Sequence, residues 1–184
     1  MIINISAGHS KNGGAVGING VKESVLARDF VRKLVYNLSE YGIAVSDCTD
    51  NIALTQKENL KNLLKNHKEN DSENDYHILV HFNAFDKNSA NGSEVYISCK
   101  HEKGDSTYLL ASDFLGIMKK YGFKIRGIKF DNKLYLLRNL KNAILLEICF
   151  ITNENDIGKY FVFESEIIDL FTFSILRWCG YDRN

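Results

Sequence analysis

Strand-like and helix-like segments alternate along this 184-residue chain and predict an α/β fold with a mostly parallel or mixed β-sheet flanked by helices. Three observations carry that expectation. Short apolar runs alternate with segments whose apolar residues recur every three or four positions. One run, Ala143 to Asn153 (AILLEICFITN), is apolar on both sides of a single carboxylate, the pattern of a strand covered on both faces of a sheet. No internal repeat, low-complexity tract or Pro/Ser-rich linker divides the chain, whose length fits one domain with one core.

The elements follow in order. MIINIS, residues 1–6, reads as the first strand, and AGHSKNGGAVGING, residues 7–20, as a Gly-rich loop. Neither GxGxxG nor GxxxxGK[ST] occurs there, which argues against a phosphate-binding loop. Lys22 to Glu40 predicts a helix, with Leu26, Phe30, Leu34 and Leu38 on one face, Val31 and Val35 beside them, and Gly42 as the stop. Ile43 to Cys48 predicts a second strand, and Leu54 to Asn66 a second helix with Leu60, Leu63, Leu64 and His67 on one face. KENDSEND, residues 68–75, is a polar loop, and His67 and His101 are expected at the surface. Tyr76 to Asn83 (YHILVHFN) is a third strand. His77 and His81 share its face, and Ile78 stands where an H-E-x-x-H zinc helix needs glutamate.

Ser93 to Ser98 predicts a fourth strand near a sheet edge. Asp105 or Ser106 caps a helix running to Tyr121, with Leu110, Phe114, Ile117 and Met118 inward. Residues 123–142 predict one short strand, LYLLR, among basic residues that are either solvated or meet an anionic substrate. After the Ala143–Asn153 strand come a short helical turn from Glu154 to Tyr160 and a final helix from Glu164 to Gly180, apolar almost all round.

Composition narrows the function classes. Lys plus Arg equals Asp plus Glu at 23 each, so the balance is not that of a basic nucleic-acid binder. The four cysteines, Cys48, Cys99, Cys149 and Cys179, form no CxxC pair and read as reduced, mostly buried thiols, which excludes a cysteine-built zinc site. No apolar run approaches the ~20 residues of a membrane span. The N-terminus lacks a basic region followed by a long apolar stretch, so no signal peptide is expected and the chain is expected to be made in the cytoplasm.

Three ionisable groups stand in or beside apolar strands. His9 follows MIINIS, His81 ends HILVH at the carboxyl end of its strand, and Glu147 sits inside the most apolar run. Ligands of open α/β sheets bind at that end. A buried charge is costly unless it is paired or protonated, so these residues mark a site. His9, His81 and one carboxylate make a His₂Glu set, a ligand set used for catalytic zinc with the fourth position left to water. A second carboxylate is then needed to move the water's proton to the leaving group. Spacing leaves Glu23 and Glu147 equal candidates for ligand and base. Glu23 reads equally well as a first-turn carboxylate facing the helix dipole.

The ordered motifs AGH at 7–9, GAVG at 14–17 followed by Glu23, HFNA at 81–84, GSEVY at 92–96, LYLLR at 134–138 and LLEICFITN at 145–153 resemble the zinc-dependent N-acetylmuramoyl-L-alanine amidases. That catalytic domain is shared by bacterial wall-remodelling enzymes and many phage endolysins. The resemblance covers nearly the whole chain. It implies a central twisted sheet and a single catalytic domain over 1–184 without a separate wall-binding domain. It also implies one Zn²⁺ held by His9, Glu23 and His81, Glu147 as the catalytic carboxylate, and peptidoglycan as the partner. Asn83 and Arg138 would touch the peptide. Ser10, Phe82, Asn142-Ala143 and Cys149 depart from the family's usual residues and point to a branch closer to phage lysins. The alternatives are a zinc metallopeptidase acting on the stem peptide and an inactive wall-binding or regulatory module. The presence of all four candidate residues counts against the module.

Overall fold

In the computed structural model, which describes residues 1–69, 72, 74–86 and 89–181, β1 is Ile3–Ala7, α1 Glu23–Glu40, β2 Val45–Asp47, α2 Gln56–Lys68 and β3 Tyr76–Asn83. β4 is Ser93–Ile97, α3 Ser106–Lys120, β5 Ile125–Phe130, α4 Tyr135–Asn139, β6 Ala143–Phe150 and α5 Glu154–Trp178. Three residues of the polar loop read over 68–75 and two of the loop after His81 lie outside the described residues. The strands form one mixed sheet in the order β2-β1-β3-β6-β4-β5, in which neighbours run parallel except β4 against β6. The mixed α/β architecture is therefore as the sequence predicts. Among the described residues no helix is long and apolar enough to cross a membrane.

Period-two alternation in the central strands sorts their side chains onto two faces. Ile78, Val80, Phe82, Ile144, Leu146, Ile148, Val95 and Ile97 enter the main core with α1, α3 and α5. Leu26, Phe30, Leu34 and Leu38 of α1 dock there, each fully buried side chain of this kind contributing ~1.5–3 kcal/mol relative to exposure. The opposite face carries a smaller cluster. Leu79 and Leu145 meet Leu63 of α2 and Leu136 and Leu137 of α4, with Tyr96 against them. Two helices, one of only five residues, cover that face over β3 and β6.

Several expectations need correction. LYLLR pairs with no strand and forms the single turn α4, which packs on the α2 face of the sheet; β6, the strand that follows it, already lies between β3 and β4. A strand does lie nearby, at β5, whose pattern is masked by Gly127 and two basic residues. β5 takes the sheet edge, so β4 lies one strand in from it, near the edge as the sequence predicts. The last two helical segments are one 25-residue helix. Phe161 and Val162 point to solvent along it, which broke the apparent periodicity. His67 is fully buried rather than at the surface.

Candidate metal centre and active site

His9, Glu23 and His81 come from three separate parts of the chain. His9 lies two residues beyond β1, Glu23 opens α1, and His81 stands near the carboxyl end of β3. Their ligand-capable atoms lie within 4.8 Å of one another. Glu23 Oε1 is 3.0 Å from His9 Nε2 and 3.1 Å from His81 Nδ1. The other oxygen, Oε2, accepts the Ala15 amide at 3.0 Å, while the Glu23 amide donates to the Ala15 carbonyl at 3.0 Å. That reciprocal latch fixes the carboxylate and ties the Gly-rich loop to the start of α1. Burial alone would raise the Glu23 pKa, but hydrogen bonds from His81 and His9 outweigh it and hold the group far below the carboxylate range. Burial pushes His9 down, whereas its bond to Glu23 and that carboxylate's charge outweigh it, leaving His9 raised.

His9 adopts a left-handed backbone conformation (φ 63), sparsely populated for a residue with a side chain. Arg28 sustains it: Nη2 donates to the His9 carbonyl at 3.1 Å and to the Asp50 carbonyl at 2.8 Å. Gly8 makes room for the second imidazole. A Cβ there would sit 2.0 to 2.4 Å from three ring atoms of His81. Gly8→Ala is therefore expected to displace that ring and weaken divalent-metal binding by about 10–100-fold, the usual loss when a ligand's support fails. Competition with a chromophoric chelator measures this, and an unchanged affinity would show that the ring does not need the space.

Glu147 stands one strand over, paired in register with His81 on one side and with Glu94 on the other. Its Oε2 is buried and has no hydrogen-bond partner among the described residues. Burial, then the charges of Glu23 and Glu94, push its pKa well up. Glu23 and Glu147 are thus distinguished by the tertiary structure: Glu23 bridges the two imidazoles and Glu147 stands beside the trio. The amide of Asn83 donates to Glu94 at 3.0 Å, so this side chain orders a neighbour. Arg138 lies on α4, its guanidinium 5.9 Å from the Tyr135 ring centre, and makes no recorded contact with the trio among the described residues. Phe82, one of the departures from the family pattern, faces the main core and packs edge-on against Tyr160 at 4.9 Å, away from the trio. The sequence marks no site role for Arg28 or Glu94, and it offers Arg126 and Lys129 only among the basic residues of 123–142 that are solvated or meet an anionic substrate. GSEVY did contain Glu94, but no local pattern marks it as buried among cations.

Two imidazoles and a carboxylate meet at one end of a mixed α/β sheet, a donor set that could hold a metal ion, with a second buried carboxylate on the strand beside it. The profile of the N-acetylmuramoyl-L-alanine amidase family matches residues 3–160, and the chain belongs to that family. N-acetylmuramoyl-L-alanine amidase LytC of Bacillus subtilis (strain 168) is 27% identical over 158 residues, covering 84% of this chain and 30% of that protein. The chain thus spans under a third of that relative's length. The catalytic domain of CwlV, an N-acetylmuramoyl-L-alanine amidase from Bacillus (Paenibacillus) polymyxa var. colistinus, superposes with a TM-score of 0.81 at 20% identity, over 98% of this chain and 99% of that one. The catalytic domain of the CD27L endolysin, described as targeting Clostridia difficile, gives 0.81 at 23% identity, over 100% and 99%. These two likenesses establish the shared fold.

Proposed function

We propose that this protein is a zinc-dependent peptidoglycan hydrolase that cleaves the amide between the lactyl group of N-acetylmuramic acid and the L-alanine of the stem peptide. The observation that carries the reading is the unpartnered, buried Glu147 Oε2 beside the His9–Glu23–His81 trio, on a strand paired in register with that of His81. The donor set fits zinc, and the Ala15 amide on Glu23 Oε2 leaves Oε1 to converge with the imidazoles. When bound, zinc lowers the pKa of its water and polarises the amide carbonyl. His9, Glu23 and His81 would hold the ion. Glu147 takes the proton from the attacking water on its free oxygen and delivers it to the leaving nitrogen. The carbon–nitrogen bond breaks, the lactyl group leaves as a carboxylic acid, and the peptide leaves with a free L-alanine amine.

Within this reading the chain is the catalytic part of an endolysin, made in the cytoplasm and acting on the wall. The departures at Ser10, Phe82 and Cys149 and the fold shared with an endolysin's catalytic domain support it. Purified peptidoglycan incubated with the protein should yield new L-alanine amino termini, lost on chelation and restored by zinc. New termini elsewhere, or new reducing sugars, would reassign the bond. Activity that survives chelation would remove the metal from the mechanism.

A further inference from the structure

His81, Glu147, Glu94 and Gly127 form a row across four adjacent strands, β3, β6, β4 and β5, each paired in register with the next. The row lies on the sparsely covered face of the sheet. At its outer end a Cβ built on Gly127 would meet nothing within 4 Å, so this end of the row is uncovered. Two cations border this end. Glu94 is 2% exposed and its carboxylate is saturated: Arg126 Nε donates at 2.6 Å and Lys129 Nζ at 2.5 Å to Oε2, while Asn83 and Tyr96 each donate at 3.0 Å to Oε1. Two cations thus share the one carboxylate they touch, with Glu147 next in the row.

Both cations reach solvent. Arg126 and Lys129 are 32% and 37% exposed, although both are anchored through Glu94. The Arg126 guanidinium lies 5.0 Å from the Phe150 ring centre, and its Nη1 reaches the Asn91 carbonyl only at 3.5 Å. Among the described residues its Nη2 meets no hydrogen-bond acceptor. Lys129 Nζ lies 5.1 Å from the Tyr96 ring centre. A cation that is pre-positioned, partly desolvated and left with unused donors is a carboxylate receptor, because little side-chain freedom remains to be lost on binding.

We infer that Arg126 and Lys129 bind a carboxylate of the stem peptide, two or three residues beyond the scissile amide. The inference rests on the amidase reading above. Two strand spacings separate β6 from β5, roughly 10 Å, and an extended peptide covers that in about three residues. The peptide side of this substrate carries carboxylates, whereas the sugar side next to the reacting carbonyl is uncharged, so the charge assigns the peptide to this end of the row.

The test uses the zinc-loaded protein and two synthetic substrates built on muramoyl-L-Ala-D-Glu-L-Lys. One has free carboxylates on the second and third residues, and the other has both as carboxamides. The native protein should prefer the carboxylate substrate by about tenfold in kcat/KM, and Arg126→Gln and Lys129→Gln should each collapse that preference toward unity. The ratio is internal to each preparation, so partial misfolding does not imitate its loss. Equal rates on both substrates in the native protein, or a preference that survives both substitutions, overturns the assignment while leaving the amidase intact. No cleavage of either substrate overturns the amidase reading, and the assignment with it.

Discussion

Replacing Glu147 with glutamine is expected to lower amide hydrolysis by about 10²–10⁴-fold while leaving the metal in place, the loss typical of removing a positioned proton carrier. Glutamine keeps the shape of glutamate but has no carboxylate to take a proton. The trio does not include Glu147, and Glu23 already joins the two imidazoles, so an ion held as proposed would keep its three protein ligands. His9→Ala should behave oppositely, because in the proposed zinc site it would remove one of three ligands and metal loss would precede any loss of chemistry. Zinc content per chain and kcat, measured on the same preparations, separate the two cases. A Glu147→Gln protein that had also shed its zinc would make Glu147 a ligand and sink the division of roles.

Acidification from pH 7 to pH 4 is expected to remove about 3 kcal/mol of folding stability through His67 alone. His67 is fully buried, with Nδ1 3.1 Å from His77 Nδ1 and Nε2 2.8 Å from Ser6 Oγ. Two facing ring nitrogens need one donor and one acceptor, so a proton added at this contact sets two donors against each other. Burial, with His77 adjacent, pushes the His67 pKa down to about 3. The unfolded chain takes up this proton as pH falls through its ordinary value near 6.5, whereas the folded chain resists it down to about 3. The stability is therefore complete above the unfolded value and is lost progressively as pH falls through that window. Urea unfolding at pH 7, 5.5 and 4 measures the slope. His67→Gln, which keeps polar groups toward both partners but does not titrate, should flatten it. A variant with the native slope would place the acid sensitivity elsewhere.

The sequence shows the candidate site and the fold unequally. Glu147 is conspicuous because it interrupts an apolar run, and that anomaly survives every tertiary detail: the residue is a buried carboxylate with an unpartnered oxygen. His81 is conspicuous for the same reason at the end of β3. Glu23 is not, because a first-turn carboxylate is ordinary on an exposed helix start. Only the approach of His81, 58 residues away, turns it into the centre of the trio. His67 misleads in the other direction. Its lysine-rich helix looks solvated, yet its own position falls on the apolar face with Leu63.

Hydrophobic periodicity is local, and it was enough to establish the alternating α/β pattern, the span of β3, the long face of α1 and the capped start of α3 at Asp105. Strand partnership is not local. No local pattern shows that LYLLR coils instead of pairing, and whether β4 was the outermost strand depended on β5, whose own sequence half conceals it. By itself the sequence determined which residues are chemically out of place in an apolar interior. The crossovers that lay β3, β6, β4 and β5 side by side decided which of them meet. They gathered two imidazoles on one carboxylate, left the second carboxylate free, and set Arg126 and Lys129 at the far end of the same row. The reason is physical: burial is encoded in each side chain, whereas proximity is a property of the chain's path.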